Sequence, residues 1–371
     1  MSRFSPIAIV GRACVLPGAL SPQALWDAVA AGRDLISSAP AGRWGMRQAD
    51  ALCDPHGPST DHSWSDRGGY VTGFEAVWDA NGFAVPASEL TGLDPLVLWV
   101  LHSARGALLG VVRGEGKSAG AVEQAPLYEG RSGTRTGAIF GNLGFPSPGM
   151  AEYAQGVWTG SGAGDARNRF VSSATAQILQ RALALDAGSF CLDAACASSL
   201  YAIKLACDRL HEGSADLMLA GAVQGADDLF LHVGFCALNA LSKSGRSRPF
   251  HAQADGLLPA EGAAFVALKR LADARRDGDQ IHGVIRGIGL SNDGRGKGLL
   301  APSEEGQQRA MRAAFASAGL DPCEVSLIEC HATGTPVGDA TELRSTASVY
   351  AGSSDLPIGS LKSNLGHLIT T

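Results

Sequence analysis

The stretch CLDAACASSL, residues 191–200, sets two cysteines five positions apart, and an apolar run gives way to small residues at the second. Beyond Cys196, the residues Leu200, Ile203, Cys207 and Leu210 recur at helical spacing, and Gly213 closes the pattern. GSFCLDAAC before it reads as a short strand. Cys196 therefore falls at a strand-to-helix junction, where free backbone N–H groups and the helix dipole favour negative charge. A thiol so placed is expected to have a lowered pKa and to act as a nucleophile. Ala194, Ala195, Ala197, Ser198 and Ser199 permit a sharp turn and close approach of a substrate, as at a serine nucleophile elbow. From this stretch alone a packed core cysteine reads equally well. Cys191, Cys207, Cys236 and Cys330 are read as core thiols.

The flanking chain alternates strands and helices. Strands are expected at 5–18, 136–143, 215–223, 263–271, 281–293, 325–333 and 356–364. Helices are expected at 22–32, 94–112, 170–183 and 302–319. Residues 40–75 read as a long irregular loop and 113–135 as a flexible insertion. Such alternation implies a layered α/β architecture. No composition shift marks a domain boundary, and no repeat is visible.

The chain has 371 residues, 45% of them hydrophobic, enough for a large core. Its formal net charge is −6 with no basic stripe, which argues against nucleic acid as a partner. No stretch approaches the roughly 18 apolar residues of a membrane span, and the N-terminus lacks a signal-peptide layout. Eight scattered cysteines suit a reducing cytoplasm better than a disulfide framework.

Two further stretches bear on Cys196. ECHATGTPVGDATEL (329–343) and GSLKSNLGHL (359–368) each place a histidine, His331 and His367, just past an apolar strand. Open α/β folds gather their active sites at strand C-termini. A metal site is not expected, because adjacent Cys330 and His331 have poor ligand geometry and no CxxC, HxxxH or HExxH spacing occurs. A Cys–His hydrolase stays open at this point.

DAACASSL, HATGTPVGD and LKSNLGHL, in that order, resemble the three active-site motifs of β-ketoacyl synthases of the thiolase-like superfamily. The resemblance covers nearly the whole chain. SPIAIVGRACVLPGALSPQALWDAVAAGRD is similar to the opening of a modular ketosynthase domain, and LSKSGRSRPFHAQADGLLPAEGAAFVALKRLADA and GIGLSNDGRGKGLLAPSEEGQ to its centre. LLPAEGAA, HATGTPVGDATE and TGAIFGNLGFPS resemble iterative type I synthases of the polyunsaturated fatty acid kind. The implied fold is α/β, a layered α-β-α-β-α arrangement of two related halves, with the nucleophile in 1–250 and both histidines in an incomplete 251–371. Ala194 and Ala197 stand where many relatives carry Thr and Ser, small for small. The chain stops at HLITT, where the family continues with a helix and a glycine-rich loop that supplies an oxyanion donor. The C-terminal part of the domain is therefore expected to be absent, and independent activity is not expected.

The resemblance implies decarboxylative Claisen condensation. Cys196 would carry the acyl chain, and His331 and His367 would donate to the enolate oxygen. Lys362 would orient and polarise as a hydrogen-bond donor, and its place at an apolar strand end argues against a merely solvated surface lysine. Glu342 would pair with Lys362 or serve as a helix N-terminal charge. Thr333 and Thr335 would bind the phosphopantetheine arm or simply form the turn. No cofactor is implied beyond that arm, carried by an acyl carrier protein. The resemblance further implies a homodimer across an edge strand, offered by ADLMLAGAV or GSFCLDAA, and other domains of a multidomain synthase, of which this would be the leading one. The competing readings are a non-elongating partner subunit (a pseudo-ketosynthase), a thiolase and a Cys–His acyl hydrolase.

Overall fold

The computed structural model describes residues 4–57, 61–113, 133–169, 173–295, 301–353 and 355–371. Ten strands occur among them. In chain order these are β1 (Ile7–Val15), β2 (Ser37–Ser38), β3 (Arg67–Gly68), β4 (Thr136–Asn142) and β5 (Ser189–Leu192), followed by β6 (Leu217–Gln224), β7 (Gly262–Arg270), β8 (Gly283–Ile285), β9 (Ile328–Glu329) and β10 (Ile358–Gly359).

Six of them form the central sheet, in the order β5-β4-β6-β7-β1-β8. β4 runs parallel to β5 and β6, while β7 is antiparallel to β6 and β1. β4 and β6 are buried along their whole length, which requires apolar side chains on both faces. Alternate residues divide between two cores accordingly. Ala138, Phe140, Leu217, Leu219, Phe265 and Ala267 share one cluster with Val97, Val100, Leu101, Ala104 and Leu108 of the helix Pro95–Arg113. Ile139, Met218, Ala220 and Leu268 share the other with Ala202, Ala206, Cys207 and Leu210 of the helix Ser198–His211. The sheet is thus sandwiched between these two helices.

The first helix lies so close to β1 that a Cβ on Gly11 would sit 2.0 Å from the carbonyl oxygen of Ala107. The second helix begins equally close to β4, since a Cβ on Gly141 would lie 2.6 Å from Ser198 Cβ. That contact fixes the height of the second helix, and with it Cys196, against the parallel half of the sheet.

Several expectations need adjustment. ADLMLAGAV is not an edge, because β6 lies between β4 and β7. GSFCLDAA supplies β5, which is at the edge, with Phe190 37% exposed. The strands expected at 281–293, 325–333 and 356–364 shrink to β8, β9 and β10. β9 and β10 pair in parallel only with each other among the described residues, and pairing stops where a neighbour does. The expected loop 40–75 contains a short helix, Gln48–Ala51, and β3, which pairs with β2 just before the loop. The insertion expected at 113–135 falls largely outside the described residues.

Candidate active site

β5 ends at Leu192, and a 3-10 turn, Ala195–Ala197, carries Cys196 into the helix Ser198–His211. Ala195 has φ 49°, a left-handed conformation that an L-residue adopts only under constraint. The constraint is visible. Asp193 accepts from Ala195 N (2.9 Å) and from Gly144 N (2.8 Å). Ser198 Oγ accepts from Ala194 N (2.9 Å) and donates to Ala195 O (2.6 Å). Asp193 has no role in the sequence reading and Ser198 figures there only as a small residue. Their signal is a short polar side chain on each side of the turn.

His367 is buried and its backbone is pinned on both sides. Its N–H donates to Leu258 O (2.7 Å), and its carbonyl accepts from Ala260 N (2.8 Å). Its Nε2 stands 3.2 Å from Cys196 Sγ. His331 lies edge-on to His367, with ring centroids 5.3 Å apart. Cys196, His331 and His367 each bring a thiol sulfur or ring nitrogen within 4.8 Å of the others, although 135 residues separate Cys196 from His331 in sequence. Cys196 and His331 each keep a face toward solvent, while the protein packed round them desolvates their ionisable atoms.

Glu342 accepts from the backbone N–H groups of His331 and Ala332, both at 2.7 Å. It neither forms an ion pair with Lys362 at contact distance nor sits in the first turn of its helix, Pro336–Val349. It holds the turn that aims His331, where Ala332 also has positive φ. Asp339, one turn earlier, accepts from Gly334 N (3.1 Å) and Phe250 N (2.7 Å). Thr333 and Thr335 place their hydroxyls 3.1 Å apart and, with His331, Phe235, Leu238 and Val337, line a cavity of about 470 Å³.

The electrostatics revise one expectation. The Cys196 thiol is held above its ordinary value, not below it, because desolvation by the surrounding protein outweighs the Lys362 ammonium and a backbone hydrogen bond that favour the thiolate. Burial, aided by Lys362, lowers His331 to about 4. Burial, aided by His331 and Lys362, lowers His367 well below the usual imidazole range. Lys362 is itself lowered by burial, against the pull of Glu329, Glu342 and Cys196. At neutral pH both rings are therefore neutral, each with one N–H and one lone pair. His367 Nδ1 is buried with no hydrogen-bond partner among the described residues, so no neighbour locks its tautomer. Nε2 is the ring nitrogen that faces the Cys196 sulfur.

The N-terminal domain of β-ketoacyl synthases matches residues 4–274, and the C-terminal domain matches residues 282–371. The expectation of an absent C-terminal part is corrected to that extent. The chain is 36% identical over 382 residues to the PKS-NRPS hybrid synthetase ATPKS of Aspergillus niger, covering 97% of this chain and 19% of that protein. It is 36% identical over 365 residues to a mycocerosic acid synthase-like polyketide synthase of Mycolicibacterium smegmatis, covering 98% of this chain and 16% of that protein. The chain thus spans under a fifth of the length of these curated relatives. Among solved structures, PfaC Keto synthase-Chain length factor superposes with a TM-score of 0.86 at 38% identity, over 99% of this chain and 40% of that one. The Streptomyces albus JA3453 oxazolomycin ketosynthase domain OzmH KS7 gives 0.81 at 27% identity, over 98% and 60%. The chain superposes on these ketosynthase structures over nearly its whole length and has their thiolase-like fold, and it belongs to the β-ketoacyl synthase family as a ketosynthase domain.

Proposed function

We propose that the chain catalyses decarboxylative Claisen condensation between an acyl thioester and a malonyl-type thioester on an acyl carrier protein. The observation that carries this reading is the convergence of Cys196, His331 and His367 within 4.8 Å. In the first half-reaction, His367 Nε2 takes the Cys196 proton as sulfur attacks the acyl carbonyl. The bond from the acyl carbon to the donor's sulfur breaks, His367 passes the proton to that departing thiol, and the acyl group stays on Cys196 as a thioester. In the second, the malonyl group loses carbon dioxide and its thioester oxygen becomes an enolate oxygen. The imidazole N–H groups of His331 and His367 donate to that oxygen. The enolate carbon attacks the acyl carbon, the C–S bond to Cys196 breaks, and the sulfur regains a proton.

Thr333 and Thr335 bind the phosphopantetheine arm in this reading, supported by their place in the cavity beside His331. Lys362 polarises all three working groups through its charge. No resident cofactor or metal is required. The nucleophile belongs to a first half (1–250) and the histidines to a second (251–371). A cytoplasmic homodimer joined through β5, with other synthase domains attached, completes the proposal. Among the described residues no helix is long and apolar enough to cross a membrane.

The test is sequential loading. The protein is incubated with an acyl thioester, freed of excess, and given a malonyl carrier protein. The expected result is a stable acyl group on Cys196 that converts to a β-ketoacyl product. Release of free acid in place of a stable adduct would favour a hydrolase. A stable adduct that never extends would favour the non-elongating reading.

A further inference from the structure

A second polar constellation lies behind the site, with no part in the steps above. Arg43 reaches two buried carboxylates. Its Nε donates to Asp228 Oδ1 at 2.9 Å, and its Nη2 donates to Glu261 Oε2. Trp44 Nε1 donates to Asp228 Oδ2 at 2.7 Å, and Val71 N donates to Glu261 Oε1 at 2.9 Å. Burying two carboxylates around one guanidinium gives up strong hydration on all three groups. A hydrophobic cluster would fill the same volume without that loss, so the arrangement calls for a reason.

Its geometry supplies one. Glu261 ends the segment 257–261, which is the backbone partner of His367. Leu258 O accepts from His367 N (2.7 Å), and Ala260 N donates to His367 O (2.8 Å). On its other side the segment pairs with Gly69, which donates to Pro259 O (2.9 Å) and accepts from Glu261 N (2.9 Å). The stacking is tight, since a Cβ on Gly69 would lie 2.6 Å from Ala260 Cβ and 2.3 Å from Leu365 O. Immediately after Glu261, β7 enters the central sheet. The Glu261 carboxylate therefore anchors the segment at the point where it leaves His367 and joins the core.

We propose that Glu261, held by Arg43, is a positioning residue for His367, fixing the backbone segment that sets Nε2 against the Cys196 sulfur. Asp228 shares the guanidinium but opens the helix Asp228–Ala237 and has no bond to the segment 257–261 among those described. The two carboxylates thus make different predictions. A loss at Glu261 displaces His367, and a loss at Asp228 does not. Displacements of about 1 Å in a reacting group cost up to roughly a hundredfold in rate.

The inference rests on reading His367 as a working member of the site, and the experiment separates the two. The full chain is prepared as wild type, Glu261→Gln, Asp228→Asn, Arg43→Lys and His367→Ala. Melting temperature is measured for each, together with the pH profile of Cys196 alkylation and the kcat and KM for condensation. The expected result is that Glu261→Gln moves the alkylation profile toward that of His367→Ala. It also lowers kcat by roughly tenfold to a hundredfold with KM for the acyl thioester unchanged. Asp228→Asn lowers the melting temperature and leaves the profile in place. If Glu261→Gln does not fold, Arg43→Lys is read instead, because it keeps the cation but loses the fork that grips both carboxylates. A wild-type profile in a folded Glu261→Gln or Arg43→Lys protein would overturn the proposal, as would an equal shift in Asp228→Asn. An unchanged profile in His367→Ala would overturn the reading of His367, and the inference with it.

Discussion

At the scale of single residues, desolvation favours the protonated Cys196 thiol, and the neutral imidazole that the proposed mechanism uses as its base stands 3.2 Å away. Reagent choice therefore matters. Cys323 is exposed as well, so iodoacetamide is expected to label both thiols, with Cys196 still gaining rate above pH 9. An acyl thioester is expected to label Cys196 alone, because only that sulfur has His367 beside it. Peptide mapping distinguishes the two, and acylation spread over several cysteines would remove the assignment. His331 gives a pH prediction. Its value of about 4 in the folded protein lies below the ordinary 6.5, so the unfolded chain binds the extra proton more readily. Stability is expected to be undiminished above pH 6.5 and to fall as pH drops from there toward 4. Melting curves of wild type and His331→Gln over that range check it, since the variant lacks this contribution to the slope.

At the scale of elements, the turn at Cys196 is held by its neighbours rather than by its own preference. Ala195 sits at φ 49° because Asp193 and Ser198 hold the backbone on either side. Ala195→Val puts a β-branched side chain into that conformation and is expected to destabilise by about 1–3 kcal/mol, with loss of acyl loading. Ala195→Gly relieves the strain and is expected to leave the melting temperature level or higher. Gly141 is the companion case on β4. Gly141→Ala sets a methyl 2.6 Å from Ser198 Cβ, so the start of the nucleophile helix must shift. The expected cost is about 1–3 kcal/mol, with acylation of Cys196 falling more steeply than stability. Thermal melts run beside a loading assay separate these effects.

At the scale of the whole molecule, the central sheet ends at β5 and β8 among the described residues. Edge strands carry unpaired N–H and C=O groups and pair readily with a second copy. β5 is adjacent in sequence to the nucleophile turn, and its Phe190 is partly exposed. If dimerisation runs through it, Phe190→Lys is expected to convert a dimer to a monomer in light scattering. A dimer unaffected by that change would move the interface elsewhere.

The sequence by itself determined the elements with strong periodicity and pointed to three chemical residues as candidates. β1, β4, β6, β7 and the helices at 22–30, 95–113 and 304–318 were legible because buried strands and amphipathic helices write their burial into residue order. Cys196, His331 and His367 stood out because each lies among small or polar residues after an apolar run, although a short helix, Lys362–Leu365, separates His367 from β10. The tertiary structure alone decided what those residues experience. The raised thiol and the depressed imidazoles come from the protein packed around them, and the grip of Glu342 on the His331 turn, though only 11 residues away, depends on the fold that brings its helix back over that turn. So does the clamp of Arg43 on Glu261, which joins residues 218 positions apart. Desolvation and charge coupling depend on what surrounds a group in space, and a local window of sequence does not contain its surroundings. For the same reason β6 was mistaken for an edge, since the partners that make a strand central come from remote parts of the chain.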